Sequence, residues 1–175
     1  MQEKIQIISD GSLDLSRELT RERDILVVPF YVSFDGETYL KEGVELDIRE
    51  FYQRMVDHPD VFPKTSMPSV DDYYQVFLPL AKQDVPMICI CITTKFSGSM
   101  QSATTARDMI LEEYPKARIT VIDAEINTVL QGLYVLEACR LRDLGWEYDR
   151  MVKRLLAIRE SGRIFFTIGN IDYLK

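Results

Sequence analysis

Short apolar runs alternate with longer amphipathic ones along the whole of this 175-residue chain. A chain of that pattern buries its strands by forming a mostly parallel sheet flanked by helices, so the expected class is α/β. The first strand is expected at Lys4 to Ser9, where Ile5, Ile7 and Ile8 supply the apolar side chains, and a helix follows near Leu15 to Arg23. The extended run Leu26 to Phe34 contains Pro29, which lacks the N–H of a central strand and suits an edge or a bulge. Phe34-Asp35-Gly36-Glu37 reads as a hairpin, because Asp-Gly supplies the positive φ angles of a type I′ turn. Asp47-Ile48-Arg49-Glu50 is a capping box opening a helix whose Ile48, Phe51, Tyr52 and Met55 share one face. Ser69-Val70-Asp71-Asp72 is a weaker box, opening a helix that ends before Pro86. The pattern then predicts a strand at Met87 to Ile92, a helix at Ser99 to Tyr114, and a strand at Arg118 to Asp123. Helices at Thr128 to Leu144 and Tyr148 to Ser161, closed by Gly145 and Gly162, precede a final strand at Arg163 to Ile168.

Charge and cysteine usage narrow the function classes. A formal net charge of −7 makes nucleic acid and anionic membrane surfaces poor partners. No apolar run approaches the ~18 residues of a spanning helix, so no stable membrane insertion is expected. The start Met1-Gln2-Glu3-Lys4 lacks the pattern of a secretory signal. Cys89, Cys91 and Cys139 form an odd set without disulfide spacing, and a cytoplasmic location is expected. Cys89 and Cys91 alternate along one strand and read as core, while His58, beside Pro59, reads as a helix end.

Two hydroxyl-rich stretches carry the chemistry: Lys64-Thr65-Ser66-Met67-Pro68-Ser69, and Thr93-Thr94-Lys95-Phe96-Ser97-Gly98-Ser99-Met100-Gln101-Ser102-Ala103. Both read as loops opening into helices, where hydroxyls and unpaired N–H groups can converge on an anion. Ser9-Asp10-Gly11-Ser12, Thr93 to Ser99, and Asp123 all follow strands directly, at the carboxyl ends where open α/β sheets bind ligands. Any one of these serines is most simply a helix cap, and Ser69 is read as one. Gly98 lets backbone approach a ligand closely, and Thr65 with Ser66 adds a second source of hydroxyls. A carboxylate offers about four acceptor positions, which two hydroxyls and helix N–H groups would fill. No strong nucleophile and base, and no metal cluster, accompany these loops, so binding without catalysis, cofactor or metal is expected.

Two rival readings remain open. Asp10, Ser12 and Asp14, with Asp123, offer oxygen ligands for Mg²⁺ in an enzyme or adhesion-type domain, although Asp14 stands where such a metal motif would have a serine. The simpler account has Asp14 as a cap, with Asp10 and Asp123 orienting loop N–H groups. Ser97 could serve a serine hydrolase, but Lys95 replaces the first glycine of Gly-x-Ser-x-Gly and His58 is the one histidine.

The same stretches carry a resemblance. Thr65-Ser66-Met67-Pro68-Ser69 resembles the Thr-Ser-Gln-Pro-Ser motif of the DegV family of bacterial fatty-acid-binding proteins, and Phe96 to Ala103 resembles its Leu-Ser-Gly-Thr-Tyr-Gln-Ser-Ala. Ser9-Asp10-Gly11-Ser12-Leu13-Asp14 is similar to its Ser-Asp-Ser-Ser-x-Asp, and Val121-Ile122-Asp123-Ala124, followed by Gly132, to its Val-Ile-Asp-Ser and downstream glycine. The resemblance implies a carrier that buries one long-chain fatty acid, with the carboxylate held by Thr65 and Ser97. Ser66, Gly98 and Ser99 would assist, with Ser9, Asp10, Ser12, Gln101 and Asp123 in supporting loops. It also implies a partner, a fatty acid kinase subunit that phosphorylates the presented carboxylate. Met67, Gly11, Ala124 and Met100 depart from the motifs and remove polar groups around the two head-group hydroxyls. The family is two-lobed, so residues 1–162 are expected to be the N-terminal lobe and 163–175 the crossover strand and start of a second lobe whose remainder is absent. An exposed tail-binding surface would then favour a homodimer or a concentration-dependent oligomer.

Overall fold

The computed structural model describes residues 4–165 and 167. Its strands are β1 (Gln6–Asp10), β2 (Ile25–Val28), β3 (Tyr31–Ser33), β4 (Leu40–Lys41), β5 (Lys64–Ser66), β6 (Met87–Cys91) and β7 (Ile119–Asp123). The helices are α1 (Arg17–Glu22), α2 (Ile48–Asp57), α3 (Val70–Ala81), α4 (Ser99–Glu113), α5 (Thr128–Asp143) and α6 (Tyr148–Ile158), with short 3-10 turns at Gly11–Leu13 and Arg159–Ser161.

The α/β class is as expected. A parallel sheet of order β2-β1-β6-β7 forms the centre. Strands β1 and β6 are buried at every position, as inner strands covered on both faces must be. Ile7, Ile88, Ile90 and Ile122 pack against Val135, Ala138 and Leu141 of α5 and Met151 and Leu155 of α6. On the other face Ile8, Met87, Cys89 and Cys91 meet Tyr73 and Phe77 of α3 and Ala103, Ala106 and Ile110 of α4. Both cysteines are therefore core, and burial pushes the Cys89 thiol well above its ordinary range.

A second sheet, antiparallel and of order β4-β3-β5, was not anticipated. The run Leu26 to Phe34 divides at Pro29, with β2 on the edge of the parallel sheet and β3 in the small one. Lys64 to Ser66, expected as a loop, pairs with β3 in the register Tyr31 with Ser66, Val32 with Thr65 and Ser33 with Lys64. Strands β3 and β4 pair antiparallel, yet the turn between them is not type I′. Gly36 takes φ 78°, but Asp35 stays outside the left-handed region that such a turn requires. Instead the Asp35 carboxylate accepts the N–H groups of Thr38 at 2.7 Å and Glu37 at 2.8 Å. Those bonds hold its carboxyl far below the usual range.

Asp47 caps α2 by accepting from the N–H groups of Arg49 and Glu50, but the expected box is not closed, because the Glu50 carboxylate bonds Arg54 one turn on. Ser69 and Asp72, the weaker box in the sequence, make both bonds. His58 is the C-cap of α2. The expected apolar face of α2 is not packed into the core, however, since Ile48, Tyr52 and Val56 are 47%, 61% and 72% exposed. Phe51 instead lies against Phe34, the residue after β3, ring centroids 5.5 Å apart. Helix α6 ends three residues early in a 3-10 turn. Of the final strand expected at Arg163 to Ile168, the described Arg163 to Phe165 are not in a strand. Phe166, Ile168 and the remainder of segment 163–175, apart from Thr167, lie outside the described residues.

Candidate functional site

Asp10, at the carboxyl end of β1, is fully buried and is reached by the segment that leaves β6 and by α4 and α5. One carboxylate oxygen accepts from the Ile92 N–H at 2.9 Å and the Ser99 hydroxyl at 2.8 Å. The other accepts from Gln131 Nε2 at 2.9 Å and the Ser12 N–H at 3.3 Å, with Ser12 Oγ 3.1 Å away. A buried carboxylate is tolerable when such donors replace its water. Gln131 also donates to Ser9 Oγ at 3.1 Å and accepts from Ser12 Oγ at 2.6 Å. Sequence reasoning missed Gln131, although a signal existed: it is polar at a position four and seven residues before Val135 and Ala138, on the buried stripe of α5. Next to it, a Cβ on Gly132 would run into the Leu13 carbonyl, so glycine is what lets α5 sit on the 3-10 turn after β1.

Asp123 does for the second loop what Asp10 does for the first. It accepts from the Thr94 hydroxyl at 2.6 Å and from the Glu125 N–H at 2.8 Å. Ser9, Ser12, Asp10 and Asp123 thus spend their polar atoms on one another and on loop backbone. Asp14 is exposed, in the left-handed region at φ 48°, and is the C-cap of the 3-10 turn. Partial burial raises its carboxyl. Among the described residues no three His, Cys, Asp or Glu side chains are grouped as a metal site.

The hydroxyl-rich stretches separate into used and unused groups. Ser99 is fully buried, and its Oγ lies 2.6 Å from the Tyr73 hydroxyl as well as donating to Asp10. Its side chain is consumed, contrary to a direct role at a ligand. Ser97 is half-buried and its Oγ accepts from the Ser99 N–H at 3.2 Å, a local turn bond rather than a helix cap, since Gly98 is the N-cap of α4 and no side chain caps it. That leaves its proton free to donate. Among the described residues Thr65 and Ser66 make no side-chain hydrogen bond and both are exposed. Gln101 is exposed, and among the described residues its side-chain amide has only a long 3.5 Å contact to Thr105 Oγ1. No histidine bonds to Ser97 among the described residues, since His58 sits at the far end of α2.

The two stretches meet through Met67 and Gly98. A Cβ built on Gly98 would stand 2.6 Å from Met67 Sδ, although Gly98 itself has an ordinary φ of −80°. A side chain here would have to displace the flexible tip of Met67. Met67 and Phe96, the apolar neighbours of Ser66 and Ser97, are 45% and 66% exposed. Directly opposed residues of an antiparallel pair share a face, so Thr65, Val32 and Leu40 form one row across the small sheet. Val32 and Leu40 line an open cavity of about 530 Å³ whose wall includes Phe34, Arg54, His58 and Val61. Free hydroxyls, an apolar rim and an adjoining cavity suit a ligand with a hydrogen-bonding head and an apolar body.

The sequence matches the model of the family described as "Uncharacterised protein, DegV family" over residues 4–175. The chain belongs to the DegV family. A DegV domain-containing protein of Caldanaerobacter subterraneus is 34% identical over 172 residues, which cover 98% of this chain and 59% of that relative. The DegV protein of Bacillus subtilis is 28% identical over 174 residues. Its crystal structure, described as a fatty acid binding protein, superposes with a TM-score of 0.78 at 27% identity over 90% of this chain and 54% of the other. The crystal structure of a stearic acid-binding protein from Eubacterium ventriosum has a TM-score of 0.84 at 46% identity, covering 87% of this chain and 52% of that one. The chain therefore spans little more than half the length of the relatives it matches.

Proposed function

We propose that this chain forms the head-group half of a long-chain fatty acid site. One observation carries the reading: Thr65, Ser66 and Ser97 keep hydroxyls available beside exposed Met67 and Phe96, while Ser9, Ser12 and Ser99 around them are consumed internally. The carboxylate accepts from Thr65 and Ser97, with Ser66 and the first turn of α4 at hand. The tail continues over the apolar surface that begins at Met67, and the row Thr65, Val32, Leu40 directs it toward the cavity beneath α2. The likeness to the stearic acid-binding relative at 46% identity supports this ligand class.

The tail supplies most of the affinity. About 15 methylenes at ~0.8 kcal/mol each give an upper bound of ~12 kcal/mol, reduced by several kcal/mol of association and ordering cost. The hydroxyls set orientation and head-group selectivity. On this reading the protein is a cytoplasmic carrier without catalysis of its own, presenting the carboxylate to a fatty acid kinase subunit. Residues 1–162 act as one lobe of a two-lobed site, and residues 163–175 lead toward the other. Denaturing extraction of purified protein followed by mass spectrometry tests the ligand class: a stoichiometric C14–C18 fatty acid is expected, and a ligand lacking a carboxylate would overturn it.

A further inference from the structure

We infer that Tyr73 and Ser99 are positioning residues of the head-group site, coupling the Thr65 stretch to the Ser97 loop through a buried hydroxyl chain anchored on Asp10. This rests on the fatty acid reading for its ligand, but not for the coupling itself.

The direction of the chain follows from its end. At 2.8 Å the Ser99 hydroxyl donates to Asp10. Having given its proton, Ser99 Oγ accepts from Tyr73, 2.6 Å away. Burial holds the Tyr73 phenol well above its ordinary range, so its proton stays in place. Behind it, the Cys91 thiol lies 3.7 Å from the Tyr73 oxygen and completes the line. Each member of this line is fully buried.

The chain sits where it fixes both ligand stretches. Tyr73 lies one turn into α3, whose N-cap Ser69 follows Thr65-Ser66-Met67-Pro68 directly. Ser99 is the first residue of α4, and its N–H holds Ser97 Oγ at 3.2 Å. The same Asp10 oxygen that takes the Ser99 proton also takes the Ile92 N–H at the start of the Ser97 loop. The Tyr73 to Ser99 bond is thus a polar tie between α3 and α4 beneath the site, while Met67 on Gly98 is an apolar tie above it. Hydroxyls that never touch a ligand thereby set the spacing of those that do, and head-group selectivity depends on them.

A matched control exists on the same pair of helices. Tyr74 also joins α3 to α4, through Glu113 at 2.9 Å, but on the exposed far side. Amide hydrogen exchange is measured on wild type, Tyr73→Phe, Ser99→Ala and Tyr74→Phe. Tyr73→Phe should speed exchange ~10-fold or more in both segments 65–72 and 92–99, whereas Tyr74→Phe leaves both unchanged. Binding is read with stearate and with octadecanol. Tyr73→Phe should weaken stearate ~10-fold and octadecanol less than ~2-fold, a split that general loosening would not give. Exchange that rises in one segment alone, or equally in Tyr74→Phe, overturns the coupling. Equal loss for acid and alcohol overturns the positioning role. If wild type does not discriminate between the two ligands, the fatty acid head-group reading falls, and the exchange data still decide the coupling.

Discussion

Met67 occupies the space that a side chain on Gly98 would need, its Sδ 2.6 Å from the position of a Cβ there. The contact joins two segments about thirty residues apart, the one that follows Thr65 and Ser66 and the one that follows Ser97. Because the obstructing atom belongs to a flexible thioether, Gly98→Ala should fold, with the melting temperature lowered by no more than ~3 °C. The displaced Met67 side chain should crowd the hydroxyls and weaken fatty acid binding. Adding Met67→Ala should restore part of the loss, with a coupling of at least ~0.5 kcal/mol in a double-mutant cycle; additive effects would show that the contact plays no part in the site.

Asp10 carries more of the loop architecture than any other side chain at the sheet's carboxyl end. Asp10→Asn replaces one acceptor oxygen by an NH2 group, so donors that meet a carboxylate oxygen in wild type face another donor and buried groups are left unpaired. The loss should be on the order of 3 kcal/mol, read as a lower urea midpoint at constant m. A change under ~1 kcal/mol would mean that the Ile92, Ser99 and Gln131 bonds contribute little.

Gly132→Ala should destabilise by ~1–3 kcal/mol, because the new methyl meets the backbone carbonyl of Leu13, which cannot turn aside as a side-chain tip can. Calorimetry checks this, and an unchanged melting temperature would show that α5 shifts freely over the 3-10 turn.

Much of this was legible in the sequence. The capping residues Asp47 and Ser69 and the apolar strands β1 and β6 announce themselves through local chemistry and period. The three short strands of the second sheet do not, since two or three residues hold no period and Lys64 to Ser66 is a strand only by pairing with β3. The apolar stripe of α2 was readable, but its failure to enter the core is a matter of tertiary placement. At the site, residue types and loops were visible, yet the distinction between free Ser97 and consumed Ser99 depends on Asp10, 89 positions away.

Asp72 gives the fold an acid-sensitive link between the small sheet and α3. Burial raises its carboxyl, but bonds from Lys41 at 2.7 Å, Ser69 and Tyr31 outweigh this and bring it down to about 2. A group whose pKa is lower in the folded state stabilises above its unfolded value near 3.8 and loses that contribution as pH falls toward 2. Lys41→Met should cost ~1 kcal/mol at neutral pH, after allowance for solvent screening, and shrink the loss of stability between pH 4 and 2. An acid limb identical to wild type would remove Lys41 from this role.

The central claim is that Thr65 and Ser97 bind a carboxylate. Calorimetric titration of delipidated wild type, Thr65→Val and Ser97→Ala with stearate and octadecanol tests it most directly. Each charge-assisted hydrogen bond lost should cost ~1.5–3 kcal/mol, so stearate should bind each variant ~10-fold or more weakly while octadecanol changes little. Equal losses for acid and alcohol, or no loss for either, would contradict the assignment.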